Sequence, residues 1–446
     1  MTSPLADPSH AAARGTLRVA ILGAGTVGSA VVRGFLERGD RLAVAGGPRL
    51  ELVAVATLDP DRARALGVPD DLLTDDAARL ARSPDVDIVV ELMGGLEPAL
   101  TFVRAALGAG TPVVTANKAL LAAHGPELET LARRTGAALR FEASVGGGIP
   151  VLGPLGGDLA ANRVTEVRGI VNGTTNFILT AMAEEGRDYA DVLADAQAAG
   201  YAEADPTADV EGLDAASKAV ILGRLAFGGW LAPEAVLGRP PSLRGAGAPG
   251  IAGVGRLDVA GAAAHGLVLR LLAVVRRGAD EPIAASVVPT AVPADSALGR
   301  TRGVINRIEV DGTPVGTVAF AGPGAGGDAT SSAILGDLLA VARGAGSTWA
   351  GLPEAAPVRS DPAVAEAAWL GVERRWLTAL PVEDRDVEDA AEADAAGLVI
   401  RAIEGGIAIL STGPRDLASF RRAATAVAGL PDDGADPAIY PVEDPR

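Results

Sequence analysis

The chain has 446 residues and a formal charge of -17, from 56 Asp+Glu against 39 Lys+Arg. That length predicts two or three domains with a sizeable core, and the acidity argues against nucleic acid or an anionic membrane as a partner while leaving room for a local phosphate-binding patch. There is no cysteine, and the three histidines (His10, His124, His265) are far apart, which excludes disulfides, thiol catalysis and Cys-zinc sites and argues against a His-rich metal centre.

Residues 1–15, "MTSPLADPSHAAARG", have neither a basic n-region nor an apolar h-region and are expected to be a disordered leader. No uninterrupted apolar run reaches transmembrane length, so a soluble cytoplasmic protein is expected. "LRVAIL" (17–22) is a short apolar strand, and "GAGTVGSAVVRGFLERG" is a glycine turn running into a helix. Further strands are expected at 50–58, 86–93, 111–117 and 138–145, with helices between them, the last over about 124–135. Strands alternating with helices predict a doubly wound parallel sheet, an α/β domain over 16–145.

From about 146 the character changes. Residues 146–321 carry glycine-rich turns, helices near 174–185, 188–199 and 213–227, and several strands, which together describe an α+β domain. Residues 322–345 are a loop and helix expected to pack back on the first domain. A Pro/Ala-rich linker is expected over 346–370. Residues 371–446 follow a βαββαβ order, which is ferredoxin-like.

"GAGTVG" places Gly23, Gly25 and Gly28 in G-x-G-x-x-G spacing. In a chain of 57 glycines the spacing alone is weak, but here it follows the first strand and opens the first helix. Such a turn brings a pyrophosphate against free helix N–H groups, so a dinucleotide is expected over Gly23, Gly25, Thr26, Val27 and Gly28. Asp59, at the end of the second strand, is placed to hold a ribose hydroxyl, with Arg62 and Arg64 beyond it.

"GYAEADPTADVEGLDAASKAVIL" (200–222) carries five carboxylates (Glu203, Asp205, Asp209, Glu211, Asp214) and then Lys218. The only other lysine in the chain is Lys118. An arginine cannot release a proton near neutral pH, whereas a lysine in a suitable environment can, so the two lysines are informative. Asp214 and Lys218 share a helix face. The plain alternative is a surface i,i+4 ion pair.

Six segments carry a family resemblance: "GAGTVG", "ELMGG" (91–95), "TANKALLA" (115–122), "EASVGGGIPVL" (142–152), "RGIVNGTTNFIL" (168–179) and residues 200–222. In these, from about 17 to 345, the chain resembles homoserine dehydrogenase. The resemblance implies a Rossmann domain, a substrate and dimerisation domain, and the NAD- or NADP-dependent interconversion of homoserine and aspartate 4-semialdehyde in threonine and methionine biosynthesis. The tail resembles a diverged ACT regulatory domain.

By this resemblance Glu203 and Asp214 bind the amino-acid substrate, Lys218 is the acid/base, and Asp209 supports them. Asp205 and Glu211 read as solvated loop charge. Lys118 would lie between nicotinamide and substrate, with Thr115, Ala116 and Asn117 along the cofactor. Thr174 and Thr175 fit either site lining or helix capping. The resemblance also implies a structural sodium held by main-chain oxygens of Glu142, Val145, Gly147 and Ile149, a hinge being the alternative for those glycines. Gly324 would touch the cofactor, unless its loop is merely flexible. A homodimer or homotetramer is implied. A sugar or inositol dehydrogenase would show Glu-Lys-Pro where this chain has "ANKALL", and a non-catalytic dinucleotide sensor has no use for Asp214 and Lys218. The turn after the tail's first strand has no glycine and is acidic, which predicts weak or absent threonine feedback.

Overall fold

The computed structural model describes residues 15–39, 42–44, 47–242, 245–277, 282–359, 366–367, 369–370, 372–381, 396–428 and 436–443. The chain forms two compact units. The first comprises residues 1–163, 221–230 and 320–358, and the second the remainder. The leader expected over 1–15 lies outside the described residues except for Gly15.

The first unit is built on a six-stranded sheet: Thr16–Leu22 (β1), Arg49–Ala56 (β2), Leu73–Thr74 (β3), Ile88–Glu91 (β4), Val113–Thr115 (β5) and Leu139–Arg140 (β6). The order is β3-β2-β1-β4-β5-β6, and every pairing is parallel. Residues Val19 to Leu22 are fully buried, as expected of a parallel strand covered on both faces. The Thr26–Arg38 and Gly327–Ala342 helices pack so closely that a Cβ on Gly34 would lie 2.8 Å from a Leu335 methyl.

Three local differences from the sequence-based elements have identifiable causes. The helix expected from 124 begins at Lys118, because Asn117 Oδ1 accepts from Leu120 N at 3.1 Å and caps it there. The strand expected over 138–145 is only two residues long, because Glu142 turns back and its carboxylate accepts from the N–H groups of Val151, Leu152 and Gly153 at 2.7–2.8 Å. Part of the expected linker is anchored, at Thr348 and Trp349. Trp349 is 1% exposed against Phe141 and Trp230, and Thr348 Oγ1 accepts from Phe141 N at 3.0 Å.

The second unit is built on a mixed sheet: Arg163–Ile170 (β7), Leu267–Arg276 (β8), Ala284–Pro293 (β9), Ile305–Thr313 (β10), Gly316–Pro323 (β11), Arg375–Pro381 (β12), Leu398–Ile403 (β13), Gly406–Ser411 (β14) and Ile439–Val442 (β15). Its order is β11-β10-β7-β8-β9-β15-β12-β14-β13. Buried Arg168 on β7 is ringed by Glu166, Glu309 and Asp311 at 2.9–3.1 Å, which neutralises its charge inside the unit.

The tail strands stand in the order β15-β12-β14-β13 with antiparallel neighbours, which is ferredoxin-like. The helix expected between its first two strands, "DVEDAAEADAA" (386–396), lies outside the described residues except for Ala396. The tail is not separated from the preceding domain by its linker. β15 pairs in parallel with β9 through Ala291 and Val442, and one sheet runs across both. Among the described residues no helix is long and apolar enough to cross a membrane.

Candidate active site

In the first unit a cavity of about 280 Å³ opens at the carboxyl ends of β1 and β2, lined by Gly23, Gly25, Leu58, Asp59 and Arg62 among others. The three glycines of the turn do different jobs. Gly23 has φ +103°, and a Cβ there would lie 2.7 Å from the Leu92 carbonyl oxygen. A Cβ on Gly28 would strike the Gly23 carbonyl at 1.9 Å, so this glycine lets the helix close on the strand. A Cβ on Gly25 would meet nothing within 4 Å and would project into open space. The Thr26–Arg38 helix has no side-chain cap and no acidic residue in its first turn. Its leading N–H groups, on the exposed Thr26 and half-buried Val27, are left for an anion.

On the far rim Asp59 caps the Pro60–Ala65 helix by accepting from Arg62 N at 3.1 Å. Arg62 lines the cavity, and its guanidinium has no partner among the described residues. Arg64 does not line it, being tied to Asp61 and Asp70 at 2.7 Å. Leu58 is 93% exposed at the rim, a flat apolar surface open to a ring.

At the carboxyl end of β4, fully buried Glu91 organises two turns. It accepts from Thr115 Oγ1 at 2.6 Å and from Met93 N at 2.8 Å. Thr115 in turn accepts from Asn117 N, and Asn117 Nδ2 donates to the Gly95 carbonyl at 2.7 Å. The Thr115 hydroxyl is therefore committed to the scaffold. Lys118 is half-buried on the first turn of its helix, at the carboxyl end of β5. The sequence marked this place through "ELMGG" and "TANK" but gave no sign that Glu91 and Thr115, 24 residues apart, are bonded to each other.

Around Glu142 the backbone is sharply folded, with Gly146 and Gly147 at φ +73° and +58°. Burial pushes the Glu142 carboxyl up, against the three amides that favour its charge. The carbonyl oxygens of Val145, Gly147 and Ile149 accept no hydrogen bond from any described residue, although all three residues are buried. The Glu142 carbonyl takes only a long 3.5 Å bond from Val145 N. Gly147 packs on the Gly324 carbonyl, which a Cβ would approach to 2.6 Å. Three residues on, a Cβ on Gly327 would lie 2.9 Å from the Thr26 carbonyl, so the Gly324 loop sits beside the glycine turn.

In the second unit Asp214 and Lys218 form a buried pair. Lys218 is 7% exposed, and its Nζ lies 2.7 Å from Asp214 Oδ2 and 2.6 Å from the Val171 carbonyl at the exit of β7. The surface-pair alternative is thereby removed. Asn172 Nδ2 donates to Asp209 at 2.7 Å and to Asp214 at 2.9 Å. Its Oδ1 accepts from Thr175 N and caps the Gly173–Glu185 helix. Thr174 and Thr175 both spend their hydroxyls locally, on the Tyr201 carbonyl and on Asn172. Glu203 is exposed, and its carboxylate makes no hydrogen bond or ion pair with a described residue. Asp205 is exposed and caps its own turn at Thr207 N. Glu211 is half-buried rather than fully solvated. Among the described residues no cluster of side-chain ligands for a metal is present.

Two family descriptions match the chain, "Homoserine dehydrogenase" over residues 150–339 and "Homoserine dehydrogenase, NAD binding domain" over residues 23–142. The homoserine dehydrogenase of Corynebacterium glutamicum is 46% identical over 329 residues, 73% of this chain and 72% of the relative. That of Mycobacterium tuberculosis is 45% identical over 331 residues, with the same shares. A crystal structure of a homoserine dehydrogenase from Thiobacillus denitrificans matches with a TM-score of 0.83 at 32% identity, covering 96% of this chain and 98% of that one. A hyperthermophilic archaeal homoserine dehydrogenase in complex with NADPH matches with a TM-score of 0.60 at 26% identity, covering 73% and 97%.

Proposed function

The chain belongs to the homoserine dehydrogenase family, and we propose that Lys218 is the acid/base of its reaction, with Glu203 and Asp214 holding the substrate. The reaction is the interconversion of L-homoserine and L-aspartate 4-semialdehyde, a step of amino-acid biosynthesis. A nicotinamide dinucleotide supplies the hydride chemistry, accepting the hydride in oxidation and returning it in reduction.

The observation that carries the reading is the donor count at Lys218. An ammonium has three N–H bonds. Val171 and Asp214 take two, which leaves one for the substrate oxygen. In oxidation the amine takes the hydroxyl proton of homoserine as the hydride leaves the same carbon. In reduction the ammonium returns that proton to the aldehyde oxygen. Glu203, exposed and with no partner for its carboxylate among the described residues, suits the substrate ammonium. Asp209 acts through Asn172, which holds Asp214. Lys118 is assigned to the nicotinamide–substrate contact.

The glycine turn fits a dinucleotide, with Gly23, Gly25, Thr26, Val27 and Gly28 at the pyrophosphate, Asp59 at the ribose, and Thr115 and Gly324 behind it. Asp59 favours NAD and Arg62 favours NADP, so both are expected to serve. The bare carbonyls of Val145, Gly147 and Ile149, with that of Glu142, fit a sodium ion, which would brace the exit of β6. The tail is assigned an ACT-like assembly role with weak or absent threonine response. A cytoplasmic homodimer or homotetramer completes the reading. The test is homoserine oxidation by the purified chain, followed by reduced-cofactor absorbance with NAD+ and with NADP+. Absence of turnover with both would sink it.

A further inference from the structure

Asn306 lies on β10 with its carboxamide sealed inside the second unit. It is 1% exposed, and neither Nδ2 nor Oδ1 has a hydrogen-bond partner among the described residues. A carboxamide offers two donors and an acceptor oxygen. Burying them unmade is unfavourable, so a group of this kind calls for a physical reason.

Its place in the sheet supplies one. β10 runs beside β7. A Cβ on Gly169 would lie 2.9 Å from Ile308 Cα, and a Cβ on Gly173 would lie 3.4 Å from Val304 Cα. Asn306, midway between Val304 and Ile308, therefore stands alongside Val171, whose carbonyl holds the Lys218 ammonium at 2.6 Å. The face it occupies follows from alternation along the strand. Glu309 and Asp311 bond to Arg168 on one face of the sheet. Asn306, Ile308 and Val310, all buried, face the other. That other face also carries Gly169, Ala273 and Val287, which are cross-strand neighbours. Gly212 packs on it, since a Cβ there would lie 2.9 Å from Val287 Cγ1. The Leu213–Phe227 helix starts at the next residue and brings Asp214 and Lys218 to the same side. The unpartnered amide and the buried lysine thus share one face of the sheet, beside one carbonyl.

We propose that Asn306 is a further residue of the reaction site, donating through Nδ2 to the same substrate oxygen that exchanges a proton with Lys218. This rests on the acid/base role of Lys218. In reduction the aldehyde carbon takes the hydride and negative charge builds on its oxygen. The Lys218 ammonium gives that oxygen a proton, which leaves the alcohol and a neutral amine. Nδ2 keeps its own proton throughout and stabilises the charge while it lasts, as a preorganised donor in a water-poor site does. In oxidation the same hydrogen bond steadies the oxygen as it gives its proton to the amine. A neutral donor suits the place, because a second cation there would work against the Lys218 ammonium. Lys218 is itself only 7% exposed, so the substrate meets both groups within one closed site.

The test is steady-state homoserine oxidation and thermal unfolding of the full chain carrying Asn306→Leu or Asn306→Ala, beside Lys218→Arg. Leucine fills the space of the amide without its polar atoms, so the unfolding midpoint of Asn306→Leu is expected at or above that of the unchanged protein. Its kcat is expected to fall about a hundredfold, the scale of one lost donor to a reacting oxygen, with KM for homoserine changed less than about threefold. Asn306→Ala, which adds no bulk, is expected to lose kcat alike. Unchanged kcat in both Asn306 variants, with kcat lost in Lys218→Arg, would overturn this inference alone. Retained kcat in Lys218→Arg would overturn the reading it rests on. A raised KM with kcat intact would assign the amide to holding the substrate away from its reacting oxygen. Unfolding midpoints that fall together with activity in both Asn306 variants, or failure of both to fold, would make the amide structural. Either of these results also overturns the proposal.

Discussion

The Asn172 side-chain amide donates to Asp214 Oδ2 at 2.9 Å, the same oxygen that takes the Lys218 ammonium. Asn172 therefore sets where Lys218 points without needing to touch substrate. Asn172→Ser keeps an oxygen for Thr175 N but cannot span the two carboxylates. Its stability cost is expected to stay below about 1 kcal/mol, the scale of a changed cap. Its kcat/KM for homoserine is expected to fall about tenfold or more. Urea denaturation beside steady-state kinetics checks both, and an unaltered kcat/KM would show that Asp214 orients itself.

The glycine turn gives a paired prediction. Gly28→Ala drives a methyl into the Gly23 carbonyl and is expected to cost about 1–3 kcal/mol, as overpacking does. Gly25 already has φ -67° and open space, so Gly25→Ala is expected to leave stability within about 0.5 kcal/mol. Its methyl stands where the pyrophosphate would lie, so cofactor binding should weaken at least about tenfold. Thermal unfolding and fluorescence titration with NADH and NADPH separate the two effects.

Cofactor preference is expected to be shallow, because Asp59 and Arg62 share one rim. Catalytic efficiencies with NAD+ and NADP+ should lie within about a hundredfold, or about 2.7 kcal/mol. Arg62→Ala is expected to tilt the ratio toward NAD+ by about tenfold. An unmoved ratio would mean that Arg62 never meets a 2′-phosphate.

Glu129 supplies a stability prediction with a pH sign. It is 2% exposed and accepts from Arg224, Arg133 and Trp230. Burial alone would raise its carboxyl pKa, but these donors outweigh burial and hold it below its ordinary 4.5. A depressed carboxyl stabilises the fold above its unfolded value and loses that contribution as pH falls through its folded one. This component should fade only below about 4.5. Glu129→Gln leaves buried Arg224 uncompensated and is expected to cost about 3–5 kcal/mol at neutral pH. Denaturation midpoints from pH 3 to 7 should then show a shallower acid limb in the variant.

Sequence reading and structure agree where chemistry is local. The glycine turn, the strand–helix alternation and the i,i+4 placement of Asp214 and Lys218 all follow from short-range spacing. What spacing could not supply was long-range bonding. Glu91 and Thr115 are 24 residues apart, and Asn172 meets Asp214 across 42. Glu142 was expected inside a strand over 138–145, yet it turns back to cap residues nine to eleven positions on. The tail was expected beyond a linker, but β15 closes onto β9, and edge pairing leaves no mark in composition. A chain ending near residue 350 would therefore strip the four tail strands from this sheet and bare the β9 edge, so threonine response is better tested in the full chain.

The central claim is that Lys218 moves the proton, and turnover of Lys218→Arg tests it most directly. Arginine keeps the charge and can still donate to Asp214, but it cannot cycle through a neutral form at working pH. The expected loss in kcat is about a hundredfold or more, with a smaller loss in Lys118→Arg and a loss mainly in substrate KM for Asp214→Asn. Near-normal kcat in Lys218→Arg, with kcat lost in Lys118→Arg, would contradict the account and hand the proton to Lys118.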